Sequence, residues 1–433
     1  MAIEPRLRVL PPEARPVGWY VSPGWNDHSV LTYFLGEGGN VTGVVVSPAM
    51  SERQKALRQA ARTQGAQVVL DPHVMEQAFR GGNARGSIQR LPWARTSPAT
   101  PSELAGHNGA ELIQMLVSAI AEAGADAVIS PTHYLSKGIR DPWWPVDLVL
   151  ALRLRRELDR QGFRDVRIFH RLAVPAALLR DDPSQLSNMA ARIRRLPIDA
   201  LWLRTHPSGV AHSGPFVFKG LLQGCSALHA IGVPLVFERG GPVGVALTAF
   251  GVAGGIESAI CGGESFDVNA LRQLPDPSVE GFGPPIRVFV PELMSYVPKD
   301  EAYALLGNRL MNARYGCRGR CCAKSGPEGS VRDSRRHFLY RFSDQLEKLS
   351  HVPEHRRPQA IISEVNGAVR GLVQARTVAP SLGGSQERLT VLGHSLDAAL
   401  AARMVGHYSL PDFDYRRQAR RTREGALRPH ALG

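Results

Sequence analysis

Apolar and polar positions along the chain alternate between two rhythms. An amphipathic stretch with apolar residues three and four apart ends at Gly or Pro. A short, almost unbroken Val/Ile/Leu/Phe run then follows and ends in a polar residue. The unit recurs: ALRQAARTQG before AQVVLDPH (66–73), ELIQMLVSAIAEAG before ADAVISPTHY (125–134), and LVLALRLRRELDRQG before RDVRIFHR (164–171). It continues with LSNMAARIRRLP before IDALWLRTH (198–206), GLLQGCSALHAIG before VPLVFERGG (233–241), and GPVGVALTAFG before VAGGIESAI (252–260). Leu112, Leu116 and Ile120 lie on one face of a helix, and Gly124 supplies its left-handed stop. Continuous apolar runs mark parallel strands covered on both faces.

With VTGVVVSP (41–48) and PIRVFVPEL (285–293) the count reaches eight strands. Eight strand–helix units predict an α/β fold, a (β/α)8 TIM barrel, over 41–298. The rival is an open doubly wound sheet, but no Gly-rich nucleotide turn follows the first strand. Around the barrel the reading places an N-terminal extension (1–40), a Cys-rich basic region with a helix (299–350), C-terminal helices within 351–414, and a basic tail (415–433). Residues 80–104 and 270–285 read as loops rich in Gly, Pro and Ser.

Composition adds little to the fold and something to function. Hydrophobic residues are 43% and charged residues 21% of 433, which excludes wholesale disorder. No apolar run is long enough to span a membrane, and the N-terminus lacks a signal-peptide stretch; with five Cys, three of them clustered, this predicts a reducing, cytoplasmic setting. The net charge of +13 suits an anionic partner such as nucleic acid. Only six of the 52 basic residues are Lys, so a GC-rich codon bias accounts for the skew equally well.

Catalytic groups of a barrel sit at the C-terminal strand ends. Those ends carry Ser47, Asp71 with His73, Ser130 with His133 and Tyr134, His170 with Arg171, Arg204 with His206, Glu238 with Arg239, Glu257 with Ser258, and Glu292. Carboxylates and imidazoles serve as nucleophiles or acid/base groups, and Arg fixes anions. Gly240 and Gly241 open a helix whose free amides suit an anion. Each such residue also has a plain structural reading, as a helix cap or a rim ion pair. Glu264 and Asp267 read as loop caps.

Past the barrel, Cys317, Cys321 and Cys322 with His337 form a Cys3His set of the kind that holds structural Zn²⁺. Nine basic residues lie between Arg309 and Arg341; Arg314, Arg318, Arg320, Lys324, Arg335 and Arg336 are the candidates for nucleic-acid contact, with Tyr315, Phe338 and Tyr340 interleaved for stacking.

The segments GCRGRCC and RRHFLYRF, placed just after the last strand, together with GAQVVLDPHV, resemble the tRNA-guanine transglycosylase superfamily, including its DNA-modifying branch. The spacing here is CxxxCC where the family has CxCxxC, and the family's SGGFQ and PTRxGR segments have no counterpart. The resemblance implies a pentosyltransferase-type enzyme acting on tRNA or DNA. A carboxylate attacks the glycosidic carbon, and a second one assists base exchange. On this chain it implies Asp71 and Glu257 as the carboxylates, with Glu238, Arg239, Gly240 and Gly241 holding base or phosphate. His133 and His206 are reserve acid/base groups. Two other readings stay open: a lyase or hydrolase barrel acting on a small anionic substrate, and a non-catalytic nucleic-acid-binding protein whose barrel mouth is blocked by bulky side chains. A homo-oligomer is compatible with all three.

Overall fold

The computed structural model describes residues 17–212, 214–262, 264–274, 286–323, 325–326 and 328–404. Eight parallel strands close on themselves in sequence order. They are β1 (Gly18–Ser22), β2 (Gly43–Val46), β3 (Gln67–Leu70), β4 (Ala127–Ile129), β5 (Arg167–Pro175), β6 (Ala200–His206), β7 (Leu235–Glu238) and β8 (Gly255–Ala259). The expected barrel is therefore present.

Two strands differ from the sequence reading. The first is GWYVS, inside the segment read as an N-terminal extension, where Trp19, Tyr20 and Val21 are buried. Its apolar core is Trp19-Tyr20-Val21 rather than a Val/Ile/Leu/Phe run, and it precedes the first of the recurring strand–helix units. It pairs with β8 from Gly18↔Gly255 to Ser22↔Ala259. That pairing consumes both edges of the sheet, and a closed sheet has no place for a further strand. Residues of the 285–293 run accordingly form β9 (Arg287–Val290), which pairs antiparallel with β10 (Ser295–Pro298) outside the barrel. The 80–104 stretch, read as loop, contains the short helices Arg80–Asn83 and Pro101–Ala105. The tail 415–433 lies outside the described residues.

Strand alternation sorts the side chains into two sets. Trp19, Val21, Val44, Val68, Leu70, Val128, Ile168, Leu201, Leu203 and Phe237 face the helices and form the large outer core. Tyr20, Val45, Val69, Ala127, Ile129, Phe169, Ala200, Trp202 and Val236 point inward and fill the barrel. Tyr20 packs edge-on against Trp202 and Phe169, at 5.0 and 6.1 Å between ring centres.

The helix His107–Ala123 ends at Gly124, φ 57°, as the left-handed stop required. The eighth helical position is filled late. After β8 the chain makes the β9–β10 hairpin and the Cys-rich turn before helix Ser334–His351 covers β1. Phe342 meets Trp19 edge-on at 5.3 Å, and the Ser350 hydroxyl accepts from the Val17 amide. Helices Arg357–Ala375 and Leu382–Met404 follow and pack on each other. Among the described residues no helix is long and apolar enough to cross a membrane.

Trp202, fully buried inside the barrel, tests this core. Trp202→Ala is expected to cost about 3–5 kcal/mol, read as a lowered midpoint in urea unfolding.

Candidate active site at the barrel mouth

Two residues beyond four of the inward aromatics and valines, the same alternation carries a charge into the barrel. Asp71 follows Val69, Arg171 follows Phe169, Arg204 follows Trp202, and Glu238 follows Val236. All four are buried. Arg171 is the centre of the layer. Its Nη2 donates to Asp71 Oδ2 at 2.6 Å and its Nη1 to Oδ1 at 3.2 Å. Its Nε donates to both Glu238 oxygens at 3.0 Å. Arg204 Nε donates to Glu238 Oε2 at 2.8 Å, and its Nη1 lies 3.9 Å from Glu76.

Burial works against ionising Asp71, but Arg171, His73 and Arg204 outweigh it and hold the carboxyl well below its usual range. For Glu76, burial is likewise overcome by the His73 hydrogen bond and charge, which bring it to about 2. His73 has a left-handed backbone, φ 52°, and its Nδ1 lies 3.9 Å from Asp71 and 3.8 Å from Glu76. Burial disfavours its charge, yet the two carboxylates raise it overall.

Glu257 completes the ring and is different in kind. It pairs in register with Tyr20 on one side and Glu238 on the other, so it faces the same interior. Its side chain is 1% exposed, Arg239 Nε stands 3.3 Å away, and neither carboxylate oxygen accepts a hydrogen bond among the described residues. Arg239 itself sits at φ 54°, a backbone state that costs energy outside glycine. Asp71, Glu238 and Glu257 thus converge.

Other expected residues do other things. His133 does not join the cluster: its Nδ1 is 2.6 Å from Asp147, its ring stacks on Trp143 at 3.6 Å, and both partners belong to the helix Trp143–Arg160. His206 is at the mouth, but its Nδ1 accepts the Val268 amide at 3.2 Å and its ring supports Tyr134 and Phe266. Gly240 and Gly241 are packing positions. A Cβ on Gly240 would meet the Phe237 ring at 2.4 Å, and one on Gly241 would meet the Glu264 side chain at 2.9 Å. Glu292 lies on the hairpin turn, bonded to Arg341 at 2.8 Å. Asp267 caps the Asn269 amide as read, whereas Glu264 packs beside Gly241.

An apolar layer lies over the charges. Met75, Tyr134, Ala173, Phe266, Val268 and Leu271 form one cluster, and the Arg204 guanidinium sits 5.2 Å from the Phe266 ring. Ser208 Oγ accepts the Phe266 amide at 2.7 Å, and Arg85 Nη2 donates to the Ala270 carbonyl at 3.0 Å. Gly81 approaches Gln273 so closely that a Cβ would fall 1.7 Å from its carbonyl oxygen.

The Cys-rich turn brings its four groups together. The ligand atoms of Cys317, Cys321, Cys322 and His337 all lie within 4.8 Å of one another. The Cys317–Cys321 sulfurs are 3.5 Å apart, and His337 Nδ1 is 3.7 Å from Cys321 and 3.4 Å from Cys322. His337 Nε2 is 2.8 Å from the Phe289 carbonyl, which can only accept. The ring proton is thereby placed on Nε2, and the Nδ1 lone pair faces the thiols. Thiol hydrogen bonds from Cys321 and Cys322 favour the Cys317 thiolate. The cluster could hold a metal ion.

The basic residues around this turn are partly spent inside the molecule. Arg335 pairs with Asp27 at 2.7 Å and Arg336 with Glu37 at 3.4 Å, holding the late helix to the helix His28–Gly36. Arg320 lies 4.7 Å over Tyr340, and Arg314 bonds Gln374. Arg318 is exposed, its guanidinium reaching the Ala313 carbonyl at 3.4 Å. Lys324 lies outside the described residues.

No known protein family matches the chain, and no curated protein does. Among solved structures, a psychrophilic glycoside hydrolase family 10 endo-beta-1,4-xylanase matches with a TM-score of 0.37 and 11% identity, over 61% of this chain and 95% of its own. A likeness of that size bears on neither substrate nor site.

Burial pushes the half-buried Glu264 up to about 7, partly offset by its hydrogen bond with Tyr296. A carboxyl raised in the folded state destabilises the fold as pH climbs from its unfolded value, about 4.3, with the loss complete above about 7. The wild type is therefore expected to lose stability relative to Glu264→Gln between these limits. Urea midpoints at pH 4, 5.5 and 7.5 check this.

Proposed function

We propose that this barrel is an enzyme that breaks a glycosidic bond through Glu257, with base exchange in tRNA or DNA as its reaction. One observation carries the reading: a fully buried carboxylate on β8 whose oxygens accept no hydrogen bond among the described residues. A nucleophile needs free lone pairs, and those of Asp71 and Glu238 are spent on guanidinium groups. Glu257 attacks the sugar carbon, the carbon–nitrogen bond breaks, and its electron pair leaves with the base, which takes a proton from His73. The glycosyl ester is resolved when the nitrogen of an incoming base attacks the same carbon, gives its proton back to His73 and releases the carboxylate. The carboxylates of Asp71 and Glu76 raise the His73 imidazole and so favour its protonated form for the transfer. The resemblance to tRNA-guanine transglycosylases and the net charge of +13 agree with this reading.

The Cys3His cluster suits structural zinc. In a tetrahedral zinc site the ligand bond lengths place sulfurs about 3.7 Å apart, close to the 3.5 Å between the Cys317 and Cys321 sulfurs. Zinc at Cys317, Cys321, Cys322 and His337 would fasten the Cys-rich turn to helix Ser334–His351, whose His337 Nε2 already bonds the Phe289 carbonyl of the hairpin.

The apolar cluster over Arg204 favours a second reading, a non-catalytic nucleic-acid-binding protein whose charge layer is structural.

Incorporation of labelled guanine into tRNA and into duplex DNA tests the first reading. Glu257→Gln is expected to reduce it at least ~10³-fold. Equal incorporation by wild type, Glu257→Gln and Asp71→Asn would remove Glu257 from the chemistry, and nucleic-acid binding without incorporation would support the second reading. Metal analysis is expected to find about one zinc per chain. Cys322→Ser is expected to lose it and to melt at lower temperature.

A further inference from the structure

Trp25 lies in the loop after β1, Arg53 in the loop after β2, and Arg90 in the long segment after β3. All three connections open on the C-terminal face of the barrel, the face of the carboxylate ring. There they meet: the Arg53 guanidinium is 4.4 Å from the Trp25 ring centre and that of Arg90 is 4.7 Å away. Trp25 is 38% exposed, although large aromatic rings elsewhere in the fold are mostly buried. Both arginines are exposed, and among the described residues neither has a carboxylate within ion-pairing distance. The nearby Asp27 is engaged by Arg335 at 2.7 Å and by the Gly24 amide at 2.9 Å. Glu52, beside Arg53, is exposed. The Arg90 segment is anchored next to the site, since Trp93 Nε1 donates to the Pro72 carbonyl, one residue from Asp71, at 3.1 Å.

We infer that Trp25, Arg53 and Arg90 form a platform for single-stranded nucleic acid beside the barrel mouth. Base faces stack on aromatic rings and on guanidinium planes alike. A base therefore either continues this stack on a guanidinium face or takes the place of one. The two unpaired cations meet the flanking phosphates. An acidic polypeptide would satisfy the cations but offers no flat ring to continue the stack of Trp25 and its two guanidinium groups. The inference rests on the reading of the mouth as acting on nucleic acid, and it names the surface that presents the strand. It also moves nucleic-acid contact away from the Cys-rich turn, where Arg335 and Arg336 already have carboxylate partners.

The test is fluorescence anisotropy of the full chain with a labelled single-stranded oligodeoxynucleotide of about 20 residues, across a salt series. Trp25→Ala is expected to weaken binding about tenfold at every salt concentration, with Trp25→Phe retaining most of the affinity. The Arg53→Ala/Arg90→Ala double variant is expected to flatten the slope of log affinity against log salt by about 1.4. Binding by Trp25→Ala equal to wild type would overturn the platform. So would competition by polyglutamate as effective as that by unlabelled oligonucleotide, which would point to an acidic protein. Glu257→Gln is expected to bind like wild type. Base exchange lost in Glu257→Gln while Trp25→Ala binds normally would overturn the platform alone. Normal exchange in Glu257→Gln with weakened binding in Trp25→Ala would overturn the catalytic reading alone.

Discussion

A buried guanidinium organises the mouth of this barrel. Arg171 is the bridge between Asp71 on β3 and Glu238 on β7, strands on opposite sides of the cylinder. An unpaired charge in such a place would be untenable, and removing one partner of a buried pair typically costs about 3–5 kcal/mol. The layer is tolerated because each of these charges meets an opposite one: Arg171 with Asp71 and Glu238, Arg204 with Glu238 and Glu76. Beneath it the Tyr20, Phe169 and Trp202 rings fill the barrel and exclude water from one side. The Phe266 cluster does so from the other. Guanidinium groups held between two dry layers have strong and directional bonds, so the surrounding strand ends are fixed in place.

That rigidity gives Glu257 its character. Its neighbours in the layer are neutralised by direct hydrogen bonds, while its own oxygens face Arg239 at 3.3 Å without one. The strained backbone of Arg239 belongs to the same corner, where the chain leaves β7 and must turn within three residues into the helix Pro242–Ala249. Strain of this kind persists only where surrounding structure enforces it. Beside it the backbone is closely hemmed in: a Cβ on Gly240 would run into the Phe237 ring and one on Gly241 into the Glu264 side chain.

The region after β8 explains how one chain joins a barrel to its extension. A barrel needs a helix over the β8–β1 seam, and the chain delivers it only at Ser334. The intervening segment provides the cover over the mouth, the β9–β10 hairpin and the Cys-rich turn. His337 joins two of these, with one ring nitrogen on the Phe289 carbonyl and the other toward the thiols. The same helix then buries Phe338 and Phe342 against Phe289 and Trp19. Cover, turn and seam helix are thus parts of one connection.

Periodicity along the sequence was enough to establish repeated strand–helix units, the helix stop at Gly124, and the grouping of three Cys with His337, because each depends on local spacing. The strand-end rule also reached Asp71, Arg171, Arg204, Glu238 and Glu257, since a strand of known phase decides which side chains face inward. Glu76 is not legible in the sequence: it lies on a short helix after β3, and only closure of the barrel brings it to Arg204 of β6. GWYVS is not legible either, because it precedes the first repeated strand–helix unit and its apolar core is Trp19-Tyr20-Val21; the 285–293 run reads as a barrel strand because an apolar run looks alike in a hairpin and in a barrel. Closure of β8 onto β1 decides between them, and closure is a property of the whole sheet. The same holds for His133, which no sequence spacing separates from a catalytic histidine; its pairing with Asp147 exists only once the helix Trp143–Arg160 has docked. Partners for a charge are set by distance in space, and for Arg171 those partners are 67 and 100 residues away along the chain.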